Sequence, residues 1–236
     1  MTLKPEDAAA LIAQTRSENA VLIGGQAVAF WIQYFGIQPR LPALTGDIDY
    51  LGTIAEAKRV SAHLKIRHKL KTATLDDHTP NSAVLSVEMH GYPEPVLIDF
   101  LASIIGVGSE AIKKSAVVVE FEGEPIRVLH PLHLLQTKIW NLYRLEDKRT
   151  PEGIEQARLA IEIAAEFIEH ADMTRRELLD AIEAIGKFAA TAPARFAVEH
   201  FQLDCLKAIP QSVFQEGVLP GEFHSKRWPQ ILAATK

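Results

Sequence analysis

Only one cysteine, Cys205, occurs in 236 residues, so no disulfide can close within the chain, and a reducing cytoplasm is the expected compartment. Charge of one sign is not in large excess. The formal net charge of −5 gives no overall attraction to nucleic acid or to an anionic membrane. Long apolar runs are missing as well. The longest, residues 96–107, is too short to span a bilayer and carries Asp99. With Glu6 and Asp7 early and no apolar core beside them, neither a signal peptide nor a membrane partner is expected. Two familiar nucleotide motifs are also absent. Gly24-Gly25-Gln26-Ala27-Val28-Ala29 lacks the third glycine of a dinucleotide fingerprint, and no Gly-Lys-Ser/Thr forms a P-loop. The remaining composition, 47% hydrophobic and 23% charged, is that of an ordinary globular protein with material for one large domain or two modest ones.

What is present centres on residues 20–52. Ala20-Val21-Leu22-Ile23 is too short for a helix and is bounded by Gly24-Gly25, which predicts a buried strand. Residues 26–34 then carry Ala27, Ala29, Phe30, Trp31 and Tyr34 at helical spacing, stopped by Gly36. Strand, Gly-Gly, helix brings an anion to the backbone, because glycine leaves no Cβ in the way and a helix start offers unpaired N–H groups. Further on, Gly46-Asp47-Ile48-Asp49-Tyr50-Leu51 predicts a strand on which Asp47 and Asp49 share one face. Two close carboxylates repel, and a divalent cation relieves that repulsion. Val96-Leu97-Ile98-Asp99-Phe100-Leu101 sets a lone acid inside another apolar strand. If the two strands are neighbours, three carboxylates converge and can hold two Mg²⁺ ions, or Mn²⁺ in their place, roughly 3.5–4 Å apart.

Gly-Gly before a helix, Asp-x-Asp on a strand and a later strand Asp resemble the nucleotidyltransferase superfamily that includes DNA polymerase β. Within it, the chain most resembles the bacterial abortive-infection toxin-like nucleotidyltransferases. The resemblance implies metal-dependent transfer of a nucleoside monophosphate from an NTP, with release of pyrophosphate. It implies that Gly24 and Gly25 bind phosphate and that Asp47, Asp49 and Asp99 hold the metal and do the catalysis. Lys138, on the first helix after the sheet, falls inside that helix's apolar stripe of Leu134, Leu135, Ile139, Leu142 and Leu145, and by the same resemblance binds the nucleotide's phosphates. Arg144, Lys148 and Arg149 follow it as a basic cluster, equally well explained as a solvated helix end.

Taken in order, residues 5–15 predict a helix with Ala8, Leu11, Ile12 and Thr15 inward, and residues 36–44 a rigid loop around Pro39, Arg40 and Pro42. Residues 54–65 predict a helix, and 67–74 and 82–89 predict strands joined by a turn. A short helix at 109–114 and a hairpin of 116–121 with 126–129 complete a mixed segment. His63, His68, His78 and His90 show no metal-ligand spacing, and His130-x-x-His133 lacks a third ligand. Past residue 130 nearly everything predicts helix: 131–147, one opened by Thr150-Pro151, one opened by a Thr174–Glu177 capping box and ended by Gly186, and one over 194–208. The tail from Pro210 is expected to pack on its own domain, and Cys205 to be a small buried apolar side chain.

The expectation is an α/β (α+β) protein: a nucleotidyltransferase-type mixed sheet with flanking helices over residues 1–130, then a helical domain over 131–236. Its partners would be an NTP and an acceptor drawn from tRNA, protein or small molecules. Two other readings stay open: a non-catalytic nucleotide-sensing or partner-binding module, and a toxin component restrained by an antitoxin protein.

Overall fold

Apolar, β-branched segments form seven strands, and amphipathic segments form nine α-helices among the described residues, of which α3, α6 and α7 open on a threonine side-chain cap. The structure is a computed structural model describing residues 2–41, 45–74, 76–77 and 79–235. Pro42 of the expected rigid loop and His78 lie outside the described residues. The chain divides into two compact units, residues 1–30 with 42–130, and residues 31–41 with 131–236. Residues 31–41 group with the second, helical unit.

The first unit is built on one mixed sheet in the order β3-β4-β5-β2-β1-β7-β6, as the fold class predicted. The strands are β1 (Val21–Ile23), β2 (Asp47–Leu51), β3 (His68–Thr72), β4 (Asn81–Val87), β5 (Val96–Leu101), β6 (Val117–Phe121) and β7 (Glu124–Val128). β2 runs antiparallel to β1 and parallel to β5, so residues 47–51 are central. Helices α1 (Pro5–Thr15), α3 (Ile54–His63) and α4 (Ser109–Ser115) belong here, with the start of α2 (Gly24–Phe35). The inner stripe of α1 is buried as predicted, and Thr15 reaches the sheet: its hydroxyl is 3.1 Å from that of Tyr50. A Thr53–Glu56 capping box opens α3.

The second unit packs α5 (Pro131–Arg144), α6 (Pro151–His170), α7 (Arg175–Ala189), α8 (Ala192–Phe201) and α9 (Trp228–Ala234) around a core that includes Ile139, Leu142, Ile161, Ile182 and Ile185. The Thr174–Glu177 capping box opens α7 as the sequence indicates. Several element ends differ from expectation. The helix expected over 131–147 stops at Arg144, and Glu146–Lys148 form a separate 3₁₀ turn. Gly186 does not stop α7. It is buried in the helix, and Ile231 of α9 packs so closely that a Cβ there would lie 2.6 Å from its Cγ2. The predicted 194–208 helix breaks after Phe201, where Gln202 turns left-handed at φ 60° and Asp204 caps a 3₁₀ turn, Cys205–Ala208. The tail packs on its own unit through Leu219, Phe223 and Ile231, and Cys205 is buried, both as expected. No described helix is long and apolar enough to cross a membrane.

Candidate metal centre

Register decides where the acids go. In the parallel pair β2–β5, Ile48 lies beside Ile98 and Tyr50 beside Phe100, all four buried on one face, with the Tyr50 and Phe100 rings stacked 5.5 Å apart. Side chains alternate, so Asp49 and Asp99 become direct neighbours on the other face, and Asp47 joins them two residues along β2. One carboxylate oxygen from each of Asp47, Asp49 and Asp99 lies within 4.8 Å of the other two. The convergence expected of three acids drawn from two distant stretches is therefore present.

Asp47 is exposed, while Asp49 and Asp99 are half-buried. Burial, and behind it the negative charge of Asp47, raises the Asp99 carboxyl above its ordinary value. Among the described residues neither Asp47 nor Asp99 forms an ion pair, and Asp99 accepts one hydrogen bond, from the Asn81 amide at 3.1 Å. Three hard oxygen donors gathered in this way could hold a metal ion.

Gly24 stands against this cluster and Gly25 against Thr45. Gly24, at the start of α2, has φ +68°, and a Cβ on it would sit 2.0 Å from Asp49 Oδ2. A Cβ on Gly25 would sit 1.9 Å from the Thr45 methyl. Both positions thus admit a neighbouring side chain against the first turn of α2, which brings Asp49 to that turn. Gln26, which follows them, is engaged with Thr45. Its buried side chain donates to Thr45 Oγ1 at 2.8 Å, and Thr45 in turn donates to the Asp47 carbonyl at 3.1 Å. Sequence reasoning gave no part to Gln26, Thr45 or Asn81. Nothing in their spacing or composition marks them in the sequence.

Lys138 is buried in the helical unit, as its place in the apolar stripe required, and its ammonium donates to Gln156 at 2.7 Å. Arg149 ties off the end of α5, donating to the carbonyls of Leu142 and Tyr143 and lying over the Phe196 ring. The helical unit also has a cavity of ≈ 660 Å³ walled in part by Arg40, Glu155, Arg158 and Phe201. Its buried charges are already paired, Glu155 with Arg158, so the acidic triad is the stronger candidate.

Comparison with known proteins yields likenesses without a family. No family model and no curated protein matches this chain. Among solved structures it is similar to JHP933 from Helicobacter pylori, at 14% identity and a TM-score of 0.42, over 97% of this chain and 85% of that one. It is also similar to a "putative nucleotidyltransferase" from H. pylori, at 13% identity and a TM-score of 0.39, over 87% of this chain and 92% of that one. At these levels neither likeness assigns a family or an activity to this chain.

Proposed function

We propose that the protein is a metal-dependent nucleotidyltransferase that moves a nucleoside monophosphate from an NTP to an acceptor and releases pyrophosphate. The supporting observation is the meeting of Asp47, Asp49 and Asp99, with Asp49 against the Gly24 end of α2. Asp47 and Asp49 would hold a divalent ion with the triphosphate, and Asp99 would share a second. Bound there, Mg²⁺ or Mn²⁺ supplies positive charge for the phosphates and lowers the pKa of an attacking hydroxyl. Asp99, set beside that ion, would also accept the acceptor's proton. The Gly24 and Gly25 backbone would present N–H groups to phosphate oxygens.

A nucleotide-binding role for Lys138 rests on the resemblance alone and has its own test. Lys138→Met raises KM for the NTP if the role holds, and leaves kcat and KM unchanged if the ammonium serves only the packing of its own unit. The main test is incubation with each labelled NTP, Mg²⁺ and cell extract, followed by location of the label on RNA, protein or small molecules. Transfer by the wild type and its loss in folded Asp47→Asn and Asp99→Asn variants is the expected result. NTP binding without pyrophosphate release contradicts the proposal and favours a nucleotide-sensing module. Growth arrest on expression, abolished by Asp47→Ala, would add the toxin-like role.

A further inference from the structure

The bond to Asp99 comes from a strand that is out of step. β4 pairs with β5 regularly from Val87 opposite Val96 through Val84 opposite Asp99 to Ala83 opposite Phe100, and then Asn81, not Ser82, faces Leu101. Ser82 is the extra residue of a β-bulge. Continued in step, the pairing would put Ser82 opposite Leu101 and Asn81 one place further on. Asn81 would then lie on the Phe100 face, away from the acids, because a slip of one residue exchanges the two faces of a strand. The bulge places it on the Asp99 face, where Nδ2 donates to Asp99 Oδ1. Both sides hold the irregularity: the Ser82 carbonyl accepts from Ala73 N at 2.8 Å, the Pro80 carbonyl accepts from Ala102 N at 2.9 Å, and Asn81 N donates to Thr79 Oγ1 at 3.2 Å.

We propose that Asn81 is a positioning residue for the metal centre, turned onto the acidic face by the bulge at Ser82 so that its amide fixes the orientation of the Asp99 carboxylate. The amide engages one oxygen of Asp99 and restricts rotation of the group, so the carboxylate is preset before an ion arrives. A hydrogen-bond partner that orients a ligand in this way typically accounts for about 10–100-fold in metal affinity. The inference rests on the metal-site reading above, but not on which reaction the site performs.

The test is calorimetric titration of the full chain with Mn²⁺. Wild type is compared with Asn81→Leu, with Asp99→Ala and with the double variant, and thermal melting is followed in parallel. Asn81→Leu is expected to bind Mn²⁺ at least about tenfold more weakly at a nearly unchanged melting temperature, and to cause no further loss once Asp99 is alanine. Unchanged affinity in Asn81→Leu, or an equal loss with and without Asp99, overturns the proposal. Should Asn81→Leu fail to fold, Asn81→Ala serves the same cycle. Wild-type Mn²⁺ binding without any NTP turnover contradicts nucleotidyl transfer and leaves the role of Asn81 standing. Turnover with full Mn²⁺ affinity in Asn81→Leu does the reverse, and no Mn²⁺ binding by the wild type overturns both.

Discussion

Gly24 combines two constraints that no other residue type meets: a left-handed backbone and the Asp49 carboxylate where a Cβ would stand. Gly24→Ala should therefore destabilise the protein by about 2–3 kcal/mol in urea unfolding and displace Asp49. Asp99 makes the opposite case, a residue kept at a cost. Its folded-state pKa is raised, so in metal-free protein its charge opposes folding. The opposition is absent below the unfolded value and grows as pH rises through the folded one. Asp99→Asn is expected to melt higher than wild type in EDTA at pH 7. Saturating Mg²⁺ should reverse the order, since a hundredfold excess over Kd adds about 2.7 kcal/mol to a protein that binds it. Cys205 is pushed up to about 12 by burial, so its thiol should resist iodoacetamide at pH 8 in the native state and react fully in denaturant.

Helix α6 shows how a polar residue on an apolar face becomes an anchor. Glu155 is buried, accepts from Arg158 at 2.6 and 2.7 Å, and receives the Arg40 N–H at 2.7 Å, while Arg158 also binds Glu162. Hydrogen bonds from Arg158 are the largest cause holding Glu155 below its ordinary value. The N–H groups of Arg40 and Leu41 and the charge of Arg158 add to them against the effect of burial. The stabilisation is present above the unfolded pKa and is lost as pH falls through the lower folded one. Glu155→Gln should cost about 2 kcal/mol in urea unfolding at pH 7, with the gap to wild type closing in acid. Helix ends were the least legible feature of this region. Gly186 looked like a stop because its packing partner, Ile231, is 45 residues away in sequence, and the break at Gln202 has no glycine to announce it.

For the whole molecule, local pattern carried the strands of the sheet, and the Asp47/Asp49 alternation was enough to put both acids on one face. Their meeting with Asp99 depended on β5 lying beside β2, a long-range pairing that the sequence posed only as a condition. Asn81 was invisible because a bulge follows from pairing, not from composition. The grouping of residues 31–41 was equally hidden: Trp31 looks like one more apolar residue of α2, yet its ring meets Phe167 edge-on at 6.3 Å. A fragment of residues 1–130 would leave Trp31, now 1% exposed, and Phe35 without these helical partners. It is expected to bind a hydrophobic dye strongly and to aggregate, whereas the full chain does neither.

The central claim is that Asp47, Asp49 and Asp99 together bind a divalent cation. Anomalous diffraction from crystals grown with Mn²⁺ and a non-hydrolysable NTP measures this most directly. The account predicts a manganese peak within coordinating distance of all three carboxylates and none there in Asp49→Asn. Manganese absent from the triad, or bound equally well without Asp49, would contradict it.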